Sequence, residues 1–317
     1  MSSKDATTTR EALALTGPAV EVELERAPGV PEQLARALWR ARGRQQGVLR
    51  DEQRTQLGTI AIVQRGVRLD SARVTRFRDV CADRGRDGVA PAVFLETLFI
   101  GPMASIALHP RFPFSPLGLV HVVQRIEQLR WVRLDENLDL RCHLAELRHT
   151  TRGYEVDCAM ALHSDGELVW RGLATLLSRD PATRHRAAEK AARGPDHSPA
   201  TTPQHLFDAP ADVGRRYAAA SGDYNPHHLH TWTARLVGFR RPIAHGIWTL
   251  ARSLAELGAT TQDAERLQVE ASFKRPIFLP GRVAVQTTST AAQENLSAFV
   301  AYHPERGEPH MTASVRW

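Results

Sequence analysis

Between Ser221 and His228 the chain reads Ser-Gly-Asp-Tyr-Asn-Pro-His-His, and between Pro242 and Gly246 it reads Pro-Ile-Ala-His-Gly. Asp223 and His228 are a carboxylate and an imidazole close in sequence, side-chain types that readily take and return a proton. Asn225-Pro226 between them has the composition of a helix start. Asn accepts hydrogen bonds from the first free N–H groups, and Pro presets the first helical φ. Such a start places His228 on the first turn and leaves Asp223 in the loop before it, so that both can face one cleft. His245-Gly246 reads as a second helix start, where unpaired N–H groups and the helix dipole can meet a developing negative charge and a glycine lets a carbonyl oxygen come close. An acid/base pair beside a backbone donor is the equipment for moving water on or off a double bond conjugated to a carbonyl.

Plainer readings exist for each of these residues. Asp223 alone could form a turn and Asn225 alone could cap a helix. His227, His228 and His230 with Asp223 could bind a metal, since imidazole and carboxylate suit zinc. No second ligand set accompanies them, and the helix start explains Asn-Pro better, so no metal is expected. His245 is expected to hold the turn before Gly246 rather than act as a base, and His109 and His121 to be structural. Trp248 is expected in the core.

The elements that would position these groups follow from apolar spacing. A helical pattern runs from Asp70 to Asp83 with Val74, Phe77 and Val80 on one side. Pro91 to His109 is apolar on all sides, which predicts a buried helix interrupted at Gly101-Pro102. Leu138, Leu140, Cys142 and Leu144 alternate with polar residues, Arg152-Gly153 turns the chain, and Tyr154, Val156, Cys158 and Met160 alternate again, a hairpin pattern. Glu167 to Ser178 supplies a further strand. The second half repeats the scheme: Ile243, Ile247, Leu250, Ala251, Leu254 and Leu257 at helical spacing, then strands at Leu267–Phe273, Val283–Thr288, Leu296–Tyr302 and Thr312–Trp317. A long helix wrapped by a curved antiparallel sheet satisfies both halves, because it hides the helix and covers one face of each strand. The fold class expected is α+β, with two similar modules side by side. Residues 1–55 read as a peripheral segment with one Arg-rich helix over Pro31–Arg44. Residues 56–179 read as the first module, 180–203 as a linker, and 204–317 as the second module.

Bulk properties narrow the function. The 317 residues suffice for two domains, and no apolar run is long enough to span a membrane. The N-terminus makes a poor signal-peptide core, so a cytoplasmic location is expected. Three widely spaced cysteines, Cys81, Cys142 and Cys158, suggest neither disulfide nor metal site. The net charge of +6 comes almost entirely from arginines spread along the chain, without the basic stripe and interleaved aromatics of a nucleic-acid surface.

Ser-Gly-Asp-x-Asn-Pro-x-His, followed by Gly238-Phe239 and by Pro-Ile-Ala-His-Gly, resembles the hydratase 2 motif of MaoC-like dehydratases, (R)-specific enoyl-thioester hydratases of the hot-dog fold. From about residue 60 onward the chain is similar to the two-module, double hot-dog members found in actinobacteria, including His109-Pro-Arg-Phe-Pro-Phe114 and Gly118-Leu-Val-His-Val122. The resemblance implies that Asp223 and His228 hold the catalytic water, that Asn225 orients it and fixes the loop, and that the Gly246 N–H binds the thioester oxygen as an enolate forms. Ser221 and His245 would support them. It implies no cofactor, an acyl-coenzyme A or acyl-carrier-protein substrate, and one active site per chain, the first module being a non-catalytic copy that shapes the acyl tunnel. A homodimer or a heteromeric partner is compatible with it. Two other functions remain open: a non-catalytic thioester-binding subunit of a heteromeric dehydratase, and a hot-dog thioesterase. The sequence departs from the family at His227, usually aliphatic, and at His230, often Asp.

Overall fold

The computed structural model describes residues 58–180, 204–258, 264–288 and 295–317, with parts of 11–26 and 46–53. The Arg-rich helix expected over Pro31–Arg44 and nearly all of the expected linker lie outside the described residues.

The first half runs from two short strands, β1 (Glu11–Leu13) and β2 (Val20–Glu23), to β3 (Ile60–Arg68) and α1 (Ser71–Cys81). It continues through α2 (Ala92–Glu96), a 3₁₀ turn at Thr97–Phe99 and α3 (Ile100–Leu108) to four long strands. These are β4 (Val120–Gln128), β5 (Asn137–Thr150), β6 (Gly153–Ser164) and β7 (Glu167–Arg179). The second half repeats this with β8 (His205–Ala209), α4 (Val213–Ser221), a 3₁₀ turn at Pro226–His228, α5 (Thr231–Leu236) and α6 (Gly246–Glu256). It closes with β9 (Leu267–Phe273), β10 (Gly281–Thr287), β11 (Leu296–Tyr302) and β12 (Pro309–Arg316).

All of these strands belong to one sheet of order β2-β3-β5-β6-β7-β4-β9-β12-β11-β10-β8, with β1 paired to β5. The order β3-β5-β6-β7-β4 in the first half matches β8-β10-β11-β12-β9 in the second, strand for strand. The halves meet where β4 and β9 pair antiparallel, from Val123 opposite Ser272 to Gln128 opposite Leu267. The arrangement is a double hot-dog, each half wrapping its sheet around a central helix. Glu11–Leu13 and Val20–Glu23, within the segment expected to be peripheral, join the first half's sheet.

The central helix of the first half differs from expectation. Its break falls at Thr97–Phe99, just upstream of Gly101-Pro102, which sit inside the first turn of α3. Proline lacks the N–H that would bond one turn back and its ring crowds that carbonyl, so the disruption appears in the preceding turn. Every residue of α2 is buried, whereas α3 buries only part of its surface. In the second half α6 is a single helix with Ile247, Trp248, Leu250, Ala251 and Leu254 buried.

Several polar contacts cross between the halves. Trp248 is buried and its indole N–H donates to the Val80 carbonyl at the end of α1 (2.9 Å), so its place is the core. Arg73 on α1 donates to the carbonyls of Ala220 (3.1 Å) and Ser221 (2.9 Å), two of the unpaired carbonyls that end α4. The first half therefore anchors the helix end from which the Asp223 loop departs. Cys81, Cys142 and Cys158 are buried free thiols.

Candidate active site

The helix α4 stops at Gly222, whose left-handed backbone (φ 83°) lets its N–H return to the Ala218 carbonyl at 2.8 Å. The next residue is Asp223. Its backbone N–H donates to the buried Ser221 hydroxyl (3.1 Å), which fixes the start of the loop. Asn225 was expected to cap the following turn, yet its side chain makes no cap bond. Its amide Nδ2 instead donates to Asp223 Oδ1 at 2.6 Å, with its backbone N–H at 3.2 Å from the same oxygen. One carboxylate oxygen is thereby committed to Asn225, and the other, Oδ2, faces His245 at 3.8 Å. The helix expected at Asn225-Pro226 is only the 3₁₀ turn, with His228 at its end.

His228 is buried, and its Nδ1 lies 2.7 Å from the Ile243 carbonyl. A carbonyl only accepts, so Nδ1 carries the proton and donates, leaving a lone pair on Nε2. By the same logic His245 Nε2–H donates to the backbone carbonyl of Asp223 (3.0 Å). His245 thus ties the Asp223 loop to the start of α6, and its Nδ1 is left buried without a partner among the described residues. The rings of His228 and His245 stack at 3.6 Å, His227 lies 4.0 Å from His228, and Tyr217 lies 4.7 Å from His245. Burial pushes His228 down to about 3, the neighbouring His245 adding to it and Asp223 opposing it. Burial likewise holds His227 and His245 at about 3. All three imidazoles are therefore neutral near pH 7, and His228 offers a base rather than a cation.

His245 is the N-cap of α6 and Gly246 its first residue, so the Gly246 N–H has no carbonyl one turn back within the helix. The space a side chain would fill at Gly246 is occupied by the Phe273 ring, with an added Cβ only 3.0 Å from Cε1. The glycine thus serves a close aromatic contact as well as an exposed helix end. His121 of β4 meets that ring edge-on at 5.1 Å.

Ligand atoms of Asp223, His228 and His245 all lie within 4.8 Å of one another, a spacing that could also suit a metal ion. Their hydrogen bonds favour a water site instead. His245 Nε2 is used by the Asp223 carbonyl, His228 Nδ1 by Ile243 and Asp223 Oδ1 by Asn225. What remains unused is a lone pair on His228 Nε2, one oxygen of Asp223 and the buried Nδ1 of His245. His227 and His230, the other two imidazoles weighed as ligands, stand outside this group.

Two polar groups near the site were not read from the sequence. Glu96, at the end of α2, is 1% exposed and its Oε2 has no hydrogen-bond partner among the described residues; burial raises its carboxyl to about 8, with the charge of Asp223 adding to the rise. The Tyr217 hydroxyl is also buried and without a partner among the described residues, and feels both carboxylates.

Residues 187–299 match the MaoC-like domain family. Over 250 residues the chain is 29% identical to 3-hydroxyacyl-thioester dehydratase X of Mycobacterium tuberculosis, covering 78% of this chain and 86% of that protein. It is also similar to the (R)-specific enoyl-CoA hydratase of Aeromonas caviae, 32% identical over 81 residues, 25% of this chain and 60% of that one. The crystal structure of HtdX from Mycobacterium tuberculosis superposes with a TM-score of 0.69 at 24% identity, covering 81% of this chain and 99% of that chain, which shows the shared fold.

Proposed function

We infer that the chain is a MaoC-like dehydratase, a hydro-lyase acting on acyl thioesters. It adds or removes water across C2 and C3 of a 2-enoyl or (3R)-3-hydroxyacyl group. The observation that carries this reading is that side-chain atoms of Asp223, His228 and His245, the residue before α6, lie within 4.8 Å of one another, while His228 Nδ1 is taken by the Ile243 carbonyl.

In the hydration direction, a water lies between His228 Nε2 and Asp223 Oδ2. The pair removes one proton as the water oxygen bonds to C3. The C2=C3 electron pair moves toward C1, and the thioester oxygen takes up negative charge at the Gly246 N–H, where a fixed donor is worth most. The proton is then returned to C2, so the pair ends as it began. Dehydration is the reverse. Asn225 holds the carboxylate and His245 holds the loop. Residues 56–179 act as the non-catalytic module and 204–317 as the catalytic one. A coenzyme A or a carrier-protein thioester both suit this chemistry.

Hydration of a short 2-enoyl-CoA, followed by loss of its enoyl-thioester absorbance, tests the activity. Asp223→Asn and His228→Ala should each lower kcat by about 10²–10⁴-fold, the usual range for a general acid or base, with unchanged circular dichroism. Near-normal rates in either variant would overturn the assignment. A wild-type chain that binds the thioester without consuming it would instead be a binding subunit, and one that releases free thiol would be a thioesterase.

A further inference from the structure

The first half contributes more to the site than a wall. The α2 face that carries Glu96 also carries Ala92 and Val93, one turn earlier, because residues three and four apart share a helix face. Ala92 and Val93 line a small, largely apolar cleft of about 70 Å³. The same cleft is lined by Ala251, Leu254 and Ala255 of α6, the helix whose first residue is Gly246. The helix α6 thus runs from Gly246 to the cleft, and Glu96 stands one turn beyond the cleft residues of α2, where it feels the charge of Asp223. Tyr217 joins it from α4: its ring lies against His245 at 4.7 Å and against Phe77, a cleft residue, at 5.8 Å.

We propose that Glu96 and Tyr217 form a polar subsite of this same active site, which takes a hydroxyl or keto oxygen on the acyl chain beyond C3. The proposal rests on the thioester reading above. Both groups are buried, both have a polar atom without a partner among the described residues, and neither has a role in water addition at C2 and C3. A neutral carboxyl offers one O–H and one acceptor oxygen, and the phenol offers a second O–H. That set is complementary to a hydroxyl, which donates once and accepts, and to a keto oxygen, which accepts from either. A plain alkyl chain would leave the buried carboxyl and phenol unpaired, and a site built for a hydrogen-bonding substituent discriminates strongly against the analogue without it.

The test compares 2-octenoyl-CoA with its 5-hydroxy and 7-hydroxy counterparts. The wild-type chain should favour at least one hydroxylated substrate by about tenfold or more in kcat/KM. Glu96→Leu should abolish that preference, Tyr217→Phe should weaken it, and Glu96→Gln, which keeps a donor and an acceptor, should retain most of it. Equal or poorer use of both hydroxylated substrates by the wild type would overturn the subsite, as would a preference that survives Glu96→Leu. If no thioester is hydrated, the hydro-lyase reading falls separately. Calorimetric binding of octanoyl-CoA against 5- and 7-hydroxyoctanoyl-CoA then decides the subsite by the same criteria.

Discussion

Three imidazoles in ring contact, His227, His228 and His245, give the site its acid response. In the unfolded chain each takes a proton near 6.5, whereas in the fold burial holds them neutral down to about 3. The unfolded state therefore binds more protons between these values, so stability present above pH 6.5 is lost as pH falls toward 3. His121 and His310, lowered to about 4, act in the same direction. Glu96 has the opposite sign: its carboxyl ionises near 4.5 when unfolded and near 8 when folded, so its contribution drains away as pH rises through that interval. Denaturation midpoints in urea should accordingly peak near pH 6.5 and fall at pH 5 and at pH 8.5. Glu96→Gln should flatten the alkaline side and steepen the acid side between pH 4.5 and 6.5, where the Glu96 contribution opposes that of the histidines. At this scale the proposed acid/base pair was legible because an Asp, an Asn-Pro and a His at fixed spacing stand out on their own. Glu96 was not legible. In Ala-Val-Phe-Leu-Glu it looks like any helix-end acid, and only packing of two distant segments removes it from water.

The position of His228 depends on how closely its turn lies against α4. A Cβ at Gly214 would stand 2.0 Å from the His228 carbonyl oxygen, a backbone atom that cannot swing aside. Gly214→Ala should therefore push the 3₁₀ turn away from α4, lower the melting temperature and cut kcat by about 100-fold, the scale of a 1 Å misplacement. A crystal structure of the variant would show the displaced turn, and unchanged kinetics would contradict the argument. The strands and α6 were legible at this scale, because alternation such as Leu138–Leu144 and helical spacing such as Ile247–Leu254 each fit one period. The exact break in the first central helix was not, since the sequence marks the proline while the disruption falls a turn before it. Nor was the partner of the Asn225 amide legible from its residue type alone. Its type suits an N-cap, and only the loop geometry turns its amide toward Asp223.

At the scale of the molecule, the repeated pattern of one apolar helix followed by alternating strands announced two similar halves. It did not announce which strands join them, because β4 and β9 carry the same kind of alternation as their neighbours. The junction of these two edges means that Arg73 and Trp248 reach across within a single chain. The encounter of the two halves is thus intramolecular, and its equilibrium is set by the tether rather than by how many molecules share the solution. Specific activity should stay constant as the enzyme is diluted from micromolar to low nanomolar, read as turnover per chain. A fall on dilution would show that a second chain is needed. The β4–β9 seam has made stoichiometry a property of the gene: one copy of each half, always delivered together and in the same orientation.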